Sequence, residues 1–330
     1  MTLFKLEMLS QYRSPIMGVA MIWVVLYHYQ LQGAFRHLFM VGFTGVDLFM
    51  FVSGLGLYYS MYNDNDVKNF YVKRFLRIFP IYYLIGLILD LLAGDFNPFV
   101  YLYRYSTIGF WINGVYGNGW FVPSIITLYL LYPFFYRTFF VTRIDWFALS
   151  VTNILIFSFI FYICLVDHSL LDINHYLLLY RIPIFLFGSI IGCFIKKKNK
   201  IDIINRNFLR VSVLLLPLFF LIFLLDHKTA WGIYLSTTFV GPFILIVLCC
   251  VFNKIRVLSV IMGGVGNASL EIFMIQAIPL MYFNKYSPVF QYHDIIMIGV
   301  CSIVVLLGIG VHYFYEGLTN LIKNHLIVRL

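Results

Sequence analysis

Ten stretches of this chain are apolar for long enough to cross a lipid bilayer, and that excludes most other folds. A membrane-spanning helix needs about 20 predominantly apolar residues, within a range of roughly 17–25. Such stretches fall at about 14–31, 41–60, 77–94, 119–137, 146–166, 176–195, 208–226, 231–252, 258–283 and 295–315. They are continuously apolar rather than alternating, which rules out a β-barrel. Hydrophobic residues make up 62% of the chain and charged residues 11%, whereas a soluble domain is about a quarter charged. The sequence therefore predicts an all-α fold: a polytopic transmembrane helical bundle of about ten spans. It predicts one domain over residues 1–330, because too little polar sequence lies between the runs for a separate soluble domain.

The formal net charge of +9 would suggest a nucleic-acid partner in a soluble protein. Here the positions of the cations decide otherwise. With the N-terminus placed inside, eighteen Lys and Arg residues fall at cytoplasmic ends. Only Arg36, Arg104, Lys228 and Lys285 fall on the other side, and Arg181 is left within a span. That asymmetry is the positive-inside pattern of a plasma-membrane protein. It places both termini in the cytoplasm and predicts a multi-pass protein of a bacterial inner membrane, with lipids and no nucleic acid around it. The first apolar run continues at full span length with no cleavage pattern of a signal peptide. The cysteines, Cys164, Cys193, Cys249, Cys250 and Cys301, are odd in number and form no C-x-x-C. Neither a disulfide framework nor a bound metal is expected.

Within this apolar frame the polar groups stand out. The stretch Gly42 to Pro80 reads as an apolar helix carrying Asp47 and Ser53, then the polar turn NDNDVKN. A second helix follows, opening with Lys73, Arg74 and Arg77 and ending at Pro80. Arg74 and Arg77, at i and i+3, share a helix face. They read either as an ordinary cytoplasmic anchor or as a clamp of guanidinium forks for a phosphate-bearing cofactor. His28 lies in the outer part of the first span. It is either an imidazole satisfied near the interface or a general base, since imidazole titrates near neutrality. Arg13 lies 15 residues earlier, about 22 Å along the same helix, so the two form no local pair. Arg181, just inside an outer span end and next to the helix-kinking Pro183, reads as a snorkelling anchor or as a site residue. Asp47 and Glu271 are carboxylates within spans, where a partner is expected, and Arg181 is one available cation. Tyr58, Tyr59, Tyr82, Tyr83, Trp111, Trp120 and Tyr132 cluster at predicted span ends, as interfacial anchors do. The longest outer loop, about 95–118, is aromatic and amide-rich, and so suits either carbohydrate binding or simple coverage of the bundle. The run Lys196-Lys197-Lys198-Asn199-Lys200 fits anionic lipid heads better than a ligand.

No G-x-S-x-G, H-E-x-x-H or Walker-type loop is present. His168 and Asp172 are separated by three residues, one short of the H-x4-D spacing of glycerolipid acyltransferases. Instead, six stretches recur in a familiar order: VVLYH ending at His28, GVDLFMFVSG at 45–54, KRFLRIFPIYY at 73–83, GNGWFVPSIITLYLLYP at 117–133, RIPIFLFG at 181–188 and GNASLEIFMIQ at 266–276. In these the chain resembles the acyltransferase-3 family of integral membrane acyltransferases, many of which O-acetylate cell-surface polysaccharide. The stretches cover almost the whole chain.

The resemblance implies about ten helices, an acetyl-CoA donor bound from the cytoplasm, and a glycan or lipid-linked glycan acceptor approached from the far side. It matches His28 to the family's catalytic histidine, Arg74 and Arg77 to its arginines near the donor site, and Arg181 to the arginine of its R-x-P motif. Lys73 and Arg13 join the donor-side cations, while Trp120 and Tyr132 fall at matching aromatic positions. Two positions depart from the pattern. Met17 stands eleven residues before the histidine where the family often has arginine, with Arg13 one turn below it. Gln276 stands where a histidine commonly ends the ninth-span motif, and an amide can hydrogen-bond but not carry a proton near neutrality. The expected activity is O-acetyl transfer from acetyl-CoA to a glycan hydroxyl with His28 as base, either directly or through an acyl-enzyme on Ser53 or His28. A glycan transporter or flippase shares the polytopic bundle and proline-broken spans, and differs in moving no label from acetyl-CoA. A scaffold with no activity would leave Asp47, Glu271 and Arg181 as idle charges in lipid, which are costly.

Overall fold

The structure is a computed structural model. It describes residues 4–29, 42–94, 96–114, 117, 119–141, 173–179, 181–197, 210, 213, 230–286 and 294–327. Among these residues all regular structure is helical: α1 (Glu7–Gln11), α2 (Arg13–His28), α3 (Thr44–Asn63), α4 (Val67–Ala93), α5 (Pro98–Tyr105), α6 (Ile108–Asn113), α7 (Phe121–Tyr136), α8 (Ile173–Leu179), α9 (Ile182–Lys197), α10 (Ala230–Lys254), α11 (Arg256–Asn267), α12 (Ser269–Ile275), α13 (Ala277–Tyr286) and α14 (Asp294–Ile327). Four segments are long and apolar enough to cross a membrane: Val67–Ala93, Phe121–Val141, Leu177–Lys197 and Asp294–Thr319. The pair Arg256–Asn267 and Ser269–Tyr282, bent by 59°, is a fifth if it counts as one broken span. The stretches expected at 146–166 and most of 208–226 lie outside the described residues.

The third expected span needs correcting at its start. Pro80 does not end a helix there; α4 runs through it as one helix of 27 residues. Asp66 caps its N-terminus, the carboxylate accepting from the backbone N–H of Lys68 at 2.8 Å and of Asn69 at 3.4 Å. Gly94, at φ 77°, closes the other end in the left-handed region where only glycine is unstrained. Proline forfeits one bond of the helical ladder, and helices in lipid tolerate it because neighbouring groups re-satisfy the freed carbonyl.

Contacts divide the chain into two compact units, Met1–Phe49 with Asn205–Leu330, and Met50–Ile204. In the first unit α2 packs along α11 at a crossing built on glycine. A Cβ on Gly18 would strike the Met262 carbonyl, and one on Gly266 the Ser14 carbonyl. Lipid offers helices no hydrophobic drive to associate, so small residues that let backbones close up supply the attraction. At one end of this pair Tyr12 Oη donates to Asn253 Oδ1 at 3.3 Å. At the other, Tyr29 Oη donates to the Gln276 carbonyl at 3.1 Å. On α14 the residues Met297, Cys301, Val304 and Gly308, spaced 4, 3 and 4 apart, turn inward, while Ile295, Leu306 and Phe314 stay exposed as a lipid-facing side should.

The second unit repeats the device. A Cβ on Gly54 would strike the Phe185 carbonyl and one on Gly188 the Phe51 carbonyl, locking α3 against α9. A hydrogen-bond chain crosses the same contact: Tyr132 Oη donates to Ser189 Oγ at 3.2 Å, and Ser189 Oγ donates to the Gly54 carbonyl at 2.9 Å. Tyr58, Tyr82 and Tyr132, expected as interfacial anchors, are instead buried. Lys196 Nζ donates to Asn63 Oδ1 at 3.3 Å and lies 4.7 Å from the Tyr59 ring centre, so the ends of α3 and α9 meet.

Candidate active site

His28 is the last residue of α2, and its side chain is exposed. Its Nδ1 lies 2.8 Å from the Val24 carbonyl one turn back. A carbonyl can only accept, so Nδ1 carries the proton and Nε2 of the neutral ring carries the lone pair. The Tyr27 ring meets the imidazole edge-on with centres 5.4 Å apart. The result is an oriented acceptor nitrogen at an open helix end. Arg13 begins the same 16-residue helix, exposed at its opposite end.

The next residue, Tyr29, is the buried hydroxyl that clips α2 to Gln276. Gln276 lies between α12 and α13, and its own Oε1 is buried with no hydrogen-bond partner. Asp47 is 1% exposed in the first turn of α3. A carboxylate in a first turn lies near the positive end of the helix dipole, a favourable place for a charge that the sequence leaves unassigned. Glu271, fully buried, finds its partner in His312 of α14, whose Nδ1 is 3.1 Å from Oε1. Sequence reasoning, which could offer Arg181 only as one available cation, missed this histidine. Taking either partner away breaks this buried contact, at a cost of about 2 kcal/mol. Glu271→Ala and His312→Ala should each lower the melting temperature, and the double variant should fall no further than the worse single one; additive losses would show that the two do not couple.

In the second unit the donor-side cations separate. Lys73 is exposed and bound to Asp64 at 2.9 Å, and the hydrogen bond from its ammonium lowers the Asp64 carboxyl from its ordinary range. Arg74 is half-buried, its guanidinium 5.2 Å from the Phe70 ring centre and 5.6 Å from that of Tyr129. Its Nε is buried without a hydrogen-bond partner, and among the described residues no carboxylate pairs with it. A cation set between aromatic faces is poorly hydrated and suits an anionic ligand. Arg77 follows one turn on, half-buried. Ser53 is half-buried on α3, beside the Gly54 crossing.

Arg181 does not snorkel. It is 1% exposed, Nη1 donates to the Leu177 carbonyl at 2.9 Å, and the guanidinium lies 5.2 Å from the Trp120 ring centre. Tyr132 stacks near-parallel on Phe70, centres 6.1 Å apart. His28 belongs to the other unit, whereas Arg74, Arg77, Arg181, Trp120 and Tyr132, each matched singly by the resemblance, all sit in this one. The motif glycines turn out to be its helix contacts. Among the described residues no three His, Cys, Asp or Glu side chains gather where they could hold a metal.

The chain is a member of the acyltransferase-3 family, whose model, described as an acyltransferase domain, matches residues 18–314. A curated relative from Acidianus two-tailed virus, named "Putative acetyltransferase ORF330", is 26% identical over 275 residues, covering 79% of this chain and 80% of its own. No solved structure matches the chain at a significant level.

Proposed function

We propose that this membrane acyltransferase moves an acetyl group from cytoplasmic acetyl-CoA to a hydroxyl of a cell-surface or lipid-linked glycan, with His28 as general base. The observation that carries the reading is the imidazole itself: Nδ1–H bound to Val24 leaves Nε2 free to receive a proton at an exposed helix end. Nε2 would take the hydroxyl proton as the oxygen attacks the thioester carbonyl. The tetrahedral intermediate would collapse by expelling the CoA sulfur, which recovers that proton from the imidazolium. To Arg181 we assign stabilisation of the negative acyl oxygen, a role favoured by its burial, since charge acts more strongly away from water. Arg74, with Arg77, would hold donor phosphates.

The proposed topology has about ten spans in one membrane-embedded domain, both termini cytoplasmic, in a bacterial plasma membrane. Four contacts support its alternation, each joining ends that charge counting assigns to one side. Tyr12 with Asn253 and Lys196 with Asn63 join cytoplasmic ends. Tyr29 with Gln276 and His175 with Phe110 join outer ones.

The test is label transfer from [14C]acetyl-CoA to envelope glycan by the purified protein. Arg74→Ala should raise the KM for acetyl-CoA about 10- to 100-fold, the loss of one or two charged hydrogen bonds, and leave kcat nearly unchanged. An unaltered KM would remove Arg74 from the donor site.

A further inference from the structure

His175 on α8 is 4% exposed and has no part in the chemistry above. Its Nε2 lies 2.7 Å from the Phe110 carbonyl, so Nε2–H donates and the neutral ring presents a lone pair at Nδ1. That Nδ1 is buried and has no hydrogen-bond partner, an arrangement folded proteins avoid unless something fills it. Trp111 lies flat on the same imidazole, centres 5.1 Å apart and planes within 10°. The indole is fixed in turn, because Nε1–H donates to Thr127 Oγ1 at 2.9 Å and that hydroxyl donates to the Pro123 carbonyl at 3.0 Å. Trp111 nevertheless stays 39% exposed. The short helix α8 also supplies the Leu177 carbonyl that holds Arg181.

A rigid, partly open indole beside a buried acceptor that lacks a hydrogen selects for one kind of ligand. The ligand must donate a hydrogen bond and must also offer an apolar face. A sugar ring does both, with hydroxyls around its rim and C–H groups on its faces. A lipid phosphodiester has no hydrogen to give, and an ethanolamine or glycerol head group that has one offers no ring face to the indole. A water molecule would satisfy Nδ1 but make no use of the indole. We propose that His175 and Trp111 form a saccharide subsite, with Nδ1 accepting from a hydroxyl that is not itself acylated and Trp111 covering a ring face. As an acceptor site it rests on the acyl-transfer reading. α6 and α8 both lie in stretches that charge counting places on the outer side, where an exported glycan is met.

Two substitutions separate the subsite from a structural role. His175→Gln sets an amide nitrogen near the lost Nε2, keeps the bond to Phe110 and removes the acceptor at Nδ1. His175→Asn sets an amide oxygen near Nδ1 and drops the bond to Phe110. Full-length protein in lipid nanodiscs would be given acetyl-CoA and a panel of methyl hexopyranosides and methyl N-acetylhexosaminides. Glycoside binding would be read separately, without donor, by saturation-transfer NMR. His175→Gln should fold normally, raise the glycoside KM about 10-fold for one lost hydrogen bond, leave the acetyl-CoA KM unchanged and weaken glycoside binding equally. His175→Asn should melt earlier but keep glycoside binding, and Trp111→Ala should weaken it. Unchanged binding and KM in His175→Gln would overturn the proposal in favour of a buried water, as would a wild-type protein that binds no glycoside of the panel. Binding that falls in His175→Gln while no glycoside is acetylated would sink the acyl-transfer reading and leave the saccharide subsite standing.

Discussion

Replacing His28 by alanine should reduce acetyl transfer about 10³-fold or more while the protein folds and inserts as before. The size follows from removing the group that accepts the hydroxyl proton, since a positioned general base contributes about 10²–10⁴-fold and an unassisted hydroxyl is a poor nucleophile at neutral pH. The selectivity follows from the surroundings of the side chain. Its one hydrogen bond runs to the carbonyl of its own helix, at Val24, and its ring is exposed, so its loss opens no cavity. His28→Gln should be equally inactive, because an amide cannot take the proton. Exogenous imidazole should restore part of the rate in His28→Ala, because the vacated helix end is open. Transfer that survives in well-folded His28→Ala would end the mechanism.

Gly188→Val should be the most damaging substitution to the fold, with a cost of about 3 kcal/mol or more. The new Cβ would lie on the Phe51 carbonyl, which is backbone and has nowhere to go. Moving α9 away would also part Ser189 from Gly54 and so break the chain from Tyr132. The control is Gly310→Ala on α14, where an added Cβ meets nothing within 4 Å. There the exchange should be neutral or mildly stabilising, because alanine suits a helix better than glycine by up to about 1 kcal/mol. Thermal unfolding of the two variants in the same detergent decides it. Equal melting temperatures would show that the α3–α9 crossing is not close.

The helices were legible because lipid demands long apolar segments, and hydropathy reports that demand directly. Their limits were less so. Pro80 would stop a helix in water, and reading it that way set a short helix apart from a span at 77–94, where α4 is one helix. The motif glycines at 54, 188 and 266 could be quoted as letters. Their meaning, a backbone carbonyl of another helix at each, depends on which helices cross. The partner of Glu271 was out of reach for the same reason, since His312 is 41 residues away and nothing local marks it. Tyr132 looked like an interfacial anchor because amphipathic rings do gather at interfaces. Its hydroxyl has a buried acceptor in Ser189, and that partnership is tertiary. His175 went unnoticed beside His168 and Asp172, which lie outside the described residues. Candidates could therefore be named where a side chain declares itself, as at His28 and Arg74, and could not be named where packing assigns the role.

The glycine crossing of α2 and α11 also sets a waiting time. Tyr12 and Asn253 are 241 residues apart in the chain, and Tyr29 and Gln276 are 247 apart. At about 5–20 residues per second, the first helix emerges from the ribosome some 12 to 50 seconds before its partner exists. Through that interval the groove at Gly18 faces lipid or whatever factor shelters nascent helices, and Tyr29 has to do without the Gln276 carbonyl. Arrested nascent chains that end before Arg256 should therefore expose a cysteine at Ser14 (Ser14→Cys), whose backbone meets Gly266 in the finished crossing, to a lipid-soluble alkylating reagent. Chains extended past Tyr286 should protect it.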